Sequence, residues 1–245
     1  MFSKIIRVLL VVSLIIYLLL LIVKPKLPGL PQIQKPVLDR DPLQQTVNIS
    51  PFKTAYGKFT YEITPLYSYE IYGIVVSEYS SHNWLDLSHK KDPANTRDLC
   101  LTWGDNISSG AYQKVKYSHG EFTCYYSYRV NFDPPFNGQN LSNNHLIPKN
   151  QDVEKKIGRV NIGDQVRISG YLANYKITDE NGRESASRNT SITRQDSRNG
   201  ACEIIYVTDI EVIERSNIIY FALKKYLPFL IISLSGLGIL KFLFF

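Results

Sequence analysis

The sequence predicts a mainly β domain, an OB-like or similar small β-barrel with one short helix, held between an N-terminal and a C-terminal transmembrane helix. Three observations predict it. Each end carries an apolar stretch long enough to span a bilayer. The middle alternates apolar and polar residues at the strand period. Its second half runs strand, helix, glycine turn, strand, the order found where a helix joins the third and fourth strands of a five-stranded barrel. Averaged over 245 residues, 44% hydrophobic and 20% charged describe an ordinary soluble globule. The average conceals how the apolar residues are piled at the ends. Aromatics at 12%, with 17 Tyr, exclude a disordered chain; three Cys exclude a disulfide-dense scaffold.

Residues 5–23 read IIRVLLVVSLIIYLLLLIV, with Arg7 the single charge. About 20 apolar residues rising 1.5 Å each cross roughly 30 Å of hydrocarbon. The run is longer than the apolar core of a signal peptide, and Lys24-Pro25-Lys26 follows it in place of a small-residue cleavage site, so an uncleaved anchor is expected. Residues 226–245 read YLPFLIISLSGLGILKFLFF, with Pro228 expected in the first turn, where a missing N–H costs least. Both termini then share one side of the membrane and the middle lies on the other. The charges flanking the first span nearly balance, and Lys224 and Lys225 outweigh Lys241 at the second, which favours a cytoplasmic middle. The signal-anchor layout of the first span favours the opposite side, and on that ground a two-pass membrane protein with its middle domain outside the cytoplasm is expected.

Residues 24–51 hold six of the 12 prolines and are expected to be an extended, helix-free spacer. The β domain is expected over residues 52–213. Phe59 to Ile63, Tyr69 to Val76, Leu99 to Trp103 and Phe122 to Val130 read as strands. Asn150 can cap a helix on which Val153, Ile157 and Val160 share a face. Gly163-Asp164 then turns into the alternating strand Gln165 to Leu172, residues 179–182 form a turn, and Cys202 to Val207 with Ile210 to Ile213 close the domain.

Several of these pieces recur together. Trp103-Gly104, Asn144-His145-Leu146-Ile147-Pro148, Gly163-Asp164 with Gly170-Tyr171-Leu172, and Thr190-Ser191 through Arg194, Asp196 and Gly200-Ala201-Cys202-Glu203 follow the pattern WG…NxHLIP…GDxVxLxGYL…SSxxRxDxGxGACE. Over roughly residues 66–212 the chain resembles a family of uncharacterised bacterial membrane-associated proteins with that pattern. It departs in Thr190 for the first Ser and in Arg198-Asn199 beside the glycine. The resemblance implies a bacterial envelope protein and no particular chemistry.

Candidate site residues concentrate in the same stretch. Arg194 and Asp196, two apart, share a face if the segment is a strand. With Arg188, Glu203 and His145 they suggest either a structural ion-pair network or an edge that binds an anion or glycan through guanidinium forks. Cys202 with His145 and Glu203 or Asp196 would give a hydrolase its nucleophile, base and orienter, although no nucleophile-elbow motif accompanies them. No HxxxH or CxxC spacing occurs, so no metal and no cofactor is expected. Cys100 and Cys124 fall on strands expected to be neighbours, where either a disulfide facing an oxidising compartment or two buried thiols would fit.

The net charge of +6 with many tyrosines raises single-stranded nucleic-acid binding, which OB barrels perform by stacking bases. Lys4, Arg7, Lys24, Lys26, Lys224, Lys225 and Lys241 flank the spans, however, and without those seven the +6 falls to −1. That remainder is no footprint for a polyanion, and the flanking charges suit lipid headgroups instead. The expected function is therefore a membrane-anchored envelope protein whose β domain binds a glycan or a protein partner. An envelope hydrolase built on the Arg194–Glu203 region with His145, and single-strand binding, are the alternatives.

Overall fold

In the computed structural model, which describes residues 2–81, 86, 89–129, 131, 133–193 and 202–244, the chain divides into two compact units. The first comprises residues 1–26 and 217–245. Its two helices, α1 (Phe2–Ile22) and α5 (Ile218–Phe244), pack against each other. The Tyr220 hydroxyl donates to the Leu20 carbonyl at 3.0 Å. Both are long and apolar enough to cross a membrane, with mean hydropathy of 3.1 over Lys4–Ile22 and 1.5 over Ile218–Leu240. Only 11% of either stretch is buried, unlike the core helix of a soluble protein. α5 begins eight residues before the expected span, because Ile218 to Phe221 extend its apolar run, and Pro228 lies inside the helix rather than in its first turn.

The second unit, Leu27–Ser216, is mainly β. Its strands are β1 (Leu43–Thr46), β2 (Phe52–Tyr56), β3 (Phe59–Ser80), β4 (Arg97–Thr102), β5 (Lys116–Gly120), β6 (Thr123–Ser127), β7 (Leu141–Pro148), β8 (Gln165–Thr178), β9 (Glu184–Arg188) and β10 (Glu203–Glu214). Eight of them form one mixed sheet in the order β1-β3-β4-β7-β10-β8-β9, with β2 on β3 and a further pairing between β3 and β8. β7 and β10 run parallel; the other pairs are antiparallel.

What the sequence showed as two strands is one strand of 22 residues, β3, which serves two neighbours. Thr60 to Ile74 runs along β8, and Ile74 to Ser80 along β4. Register shifts after Pro65 and Val75 let it bend from one partner to the other. Gly73 sits at the changeover, where a Cβ would come 3.1 Å from the Thr102 carbonyl.

α4 (Gln151–Ile157) forms where the capping pattern predicts it. Asn150 Oδ1 accepts from the Val153 N–H at 3.0 Å, and Val153 and Ile157 are buried against β7 and β10. The Gly163-Asp164 turn also forms. Gly163 has φ +93°, and the buried Asp164 carboxylate accepts the N–H groups of Asn161 at 3.0 Å and Ser216 at 2.9 Å. One carboxylate thus joins the start of β8 to the chain leaving β10. One core cluster gathers Ile71, Leu99, Leu101, Trp103, Leu146, Ile168 and Ile205 beneath α4; a second holds Tyr61, Ile63, Tyr175 and Ile177.

Two segments differ from expectation. The proline-rich stretch is not a free spacer: from Leu27 onward it belongs to the β unit, and β1 pairs with β3. Ile33 and Val37 bury themselves beside Ile74, Cys100, Ile107 of α3 (Asp105–Ser108) and Tyr112. Burying an aliphatic side chain of that size stabilises by about 1.5–3 kcal/mol, enough to hold such a segment down. It even contains a short helix, α2 (Lys35–Asp39), because Pro36 occupies the first turn, where no N–H is required. The expected strand over residues 122–130 is instead half of a separate hairpin, β5–β6, whose tip carries Phe122 at φ +58°. That tip has none of the Asn-Gly chemistry by which a hairpin announces itself.

Candidate functional site

The sheet register brings together three residues distant in sequence. β4 pairs with β7 so that Asp98 lies opposite His145, and β7 runs parallel to β10 so that Ile204 lies beside His145. Cys202, one residue before β10, therefore arrives at the same place. His145 Nδ1 stands 2.8 Å from Asp98 Oδ1, both side chains buried. Cys202, two residues before Ile204, shares its strand face and so comes beside the His145 ring. Asn143 donates through Nδ2 to that sulfur at 3.5 Å and to the Phe122 carbonyl at 3.1 Å, while its Oδ1 meets His119 Nε2 at 2.8 Å. Cys202 is half-buried and is the free thiol of the chain, since Cys100 in β4 and Cys124 in β6 are joined as a disulfide.

Charge and burial oppose each other in this cluster. Burial disfavours the imidazolium of His145, but the Asp98 charge and hydrogen bond, with a contribution from Cys202, outweigh it and push the group up to about 9. His119 goes the other way: burial lowers it, against smaller opposing effects from the Gly120 carbonyl, Asp98 and Asn143. At neutral pH His145 carries a charge and His119 does not.

The hairpin tip lies over the cluster. Phe122 stacks on the His89 ring at 4.1 Å between centroids, and the Arg188 guanidinium carbon lies over the Phe122 ring, 3.7 Å from its centroid. A bulky residue at positive φ costs about 1–3 kcal/mol, and such strain collects at functional sites. His89 is fixed by Asp86, with Nδ1 to Oδ2 at 2.6 Å, and Tyr79 donates to the same carboxylate at 2.9 Å. Burial works against the Asp86 charge, yet the His89 N–H, the Tyr79 hydroxyl and the His89 ring lower its pKa.

Of the residues the sequence nominated, His145 and Glu203 are buried on β7 and at the start of β10. Arg188 ends β9 and directs Nε toward Asp92 Oδ2 at 3.6 Å, a buried carboxylate also held by the Tyr61 and Tyr175 hydroxyls. Arg194 and Asp196 lie outside the described residues. The sequence reading missed Asp98, although a carboxylate leading into the apolar run Leu99-Cys100-Leu101 was a signal that something buried would need it. Phe122 gave no signal at all.

A second feature is exposed. The far end of the β5–β6 hairpin and the chain beyond it line a cleft of about 560 Å³ with Lys114, Lys116, Ser127, Tyr128 and Arg129. The Tyr126 and Tyr128 rings are stacked at 6.3 Å and 15°, backed by Phe136, and both are exposed. Among the described residues no group of three or more His, Cys, Asp or Glu is placed to hold a metal ion. No family model, no curated protein and no solved structure matches the chain.

Proposed function

We propose that this chain is a two-pass bacterial envelope protein whose β unit is an OB-type barrel that binds an anionic glycan in the cleft of the β5–β6 hairpin. The observation that carries it is the cleft itself. Among the described residues, three cations and no carboxylate line it, beside exposed stacked tyrosines. Aromatic faces pack against sugar rings, and guanidinium and ammonium groups meet their acidic substituents. The barrel reading draws support from the pairings β3–β4, β4–β7, β7–β10, β10–β8 and β8–β3, which return to the strand they start from, with α4 between β7 and β8. The two apolar helices favour the membrane, and the Cys100–Cys124 bridge favours its oxidising side.

The test uses the full chain in detergent micelles, with polygalacturonate as the anionic glycan, dextran as the neutral one and oligothymidylate as the single strand. Binding to polygalacturonate, weakened tenfold or more by Lys116→Ala with Tyr128→Ala and falling with salt, is expected. Binding to dextran alone, or to neither glycan, rejects the reading. Preference for oligothymidylate transfers the cleft to nucleic acid, for which stacked aromatics beside cations are equally suited.

A further inference from the structure

We propose that Cys202 is a catalytic nucleophile for acyl transfer, with His145 as its acid and base and Asp98 as the residue that positions the imidazole. A nucleophile, a base within hydrogen-bond reach and a third group orienting that base is the arrangement nucleophilic catalysis requires, in whatever order the chain supplies it. Here the order is Asp98, His145, Cys202, from three neighbouring strands. The 2.8 Å contact to Asp98 holds His145 Nδ1, which Asn95 Nδ2 also approaches at 3.5 Å, and the sulfur lies beside the same ring. Asn143, locked by His119, points a donor at the sulfur and helps hold negative charge there.

The chemistry is acyl transfer rather than disulfide exchange for two reasons. A thiol that resolves a mixed disulfide is missing among the three cysteines, because Cys100 and Cys124 are bonded to each other. A proton donor on the sulfur's own partner matters chiefly for expelling an alcohol or amine, since a thiolate leaves without one. The Cys202 sulfur, its proton passed to His145, attacks the carbonyl carbon of an ester. The S–C bond forms, the bond to the leaving oxygen breaks, and that oxygen takes the proton from His145. Water then attacks the thioester while His145 removes its proton, the S–C bond breaks, and the sulfur recovers the proton. Ester and water become acid and alcohol.

Phe122 governs access. Its carbonyl accepts from the thiol at 3.5 Å, while its ring packs against His89 and Arg188. A glycine there would satisfy the positive φ and remove the ring. The titratable and charged groups placed around Cys202 are His145 and Asp98 from the sheet, Glu203 next in the chain and His119 from the hairpin, with His89 and Arg188 against the Phe122 ring.

The experiment uses the full chain in detergent micelles with iodoacetamide and p-nitrophenyl acetate, probes that the glycan cleft does not recognise, so this proposal and the binding reading fail separately. Iodoacetamide is expected to alkylate Cys202 in the wild type and to abolish nitrophenolate release. Nitrophenolate release is expected to exceed one equivalent, with an acetyl group on Cys202 by mass spectrometry, and Phe122→Gly is expected to accelerate it. His145→Asn should slow release about 100-fold or more. Asp98→Asn should lower kcat for release with KM unchanged and the sulfur still present. Release by Cys202→Ser equal to the wild type overturns the proposal. So does the lack of an acetyl adduct in both the wild type and Phe122→Gly, which decides it even if His145→Asn does not fold.

Discussion

At the scale of single residues, the polar groups beneath the hairpin make stability a function of pH. His145 holds its proton to about 9 in the folded chain, whereas an unfolded histidine releases it near 6.5. The folded state therefore binds the extra proton between those values. Its contribution, up to about 3 kcal/mol, is complete below pH 6.5 and is lost as pH rises through 9. His119 is lowered by burial, so the unfolded state binds the extra proton and stability falls as pH drops below 6.5. Asp86, held as a carboxylate, adds a further loss at more acidic pH, as the pH falls through its lowered pKa. Thermal unfolding followed by circular dichroism between pH 4 and 10 should show a maximum near pH 6.5. The alkaline decline should flatten in His145→Gln, and an unchanged decline there would exclude His145 as its source.

At the scale of elements, three contacts hold strands and helix in place. Gly170 faces β10 so closely that a Cβ would sit 2.1 Å from the Tyr206 carbonyl. Gly170→Ala must therefore push β8 from β10, and overpacking of this kind costs about 1–3 kcal/mol or more. A midpoint in urea unchanged by that substitution would show the two strands to be looser than this. The Asn150 cap on α4 should contribute about 1 kcal/mol, read as the drop in stability of Asn150→Ala. The Cys100–Cys124 bridge spans 24 residues and ties the hairpin to β4. Replacing both cysteines by serine should cost about 3 kcal/mol and lower the melting temperature. The helix and the Gly163-Asp164 turn were legible because their signals are local: a cap three residues from the N–H it accepts, a glycine at positive φ. The bend of β3 was not, because it depends on which strand lies alongside each half.

At the scale of the whole molecule, two terminal helices able to cross a membrane flank a β unit that takes in most of the proline-rich stretch. A periplasmic β unit predicts that alkaline phosphatase fused after Val212, with α5 removed, is active in a bacterial host. A cytoplasmic one predicts the reverse and would also argue against the bridge persisting in the cell.

The sequence by itself determined the apolar ends, the mainly β middle, the capped helix and the near-neutral charge of the part between the spans. These follow from periodicity and composition, which act over a few residues at a time. The tertiary structure alone decided that the proline-rich stretch packs down, that Asp98 partners His145, and that the Phe122 carbonyl meets Cys202. Each depends on strand register, and register is set by how the sheet pairs across as many as a hundred residues of intervening chain. Shifting one strand by a single position would turn Asp98 away from His145, and no pattern within either strand alone records which position is taken.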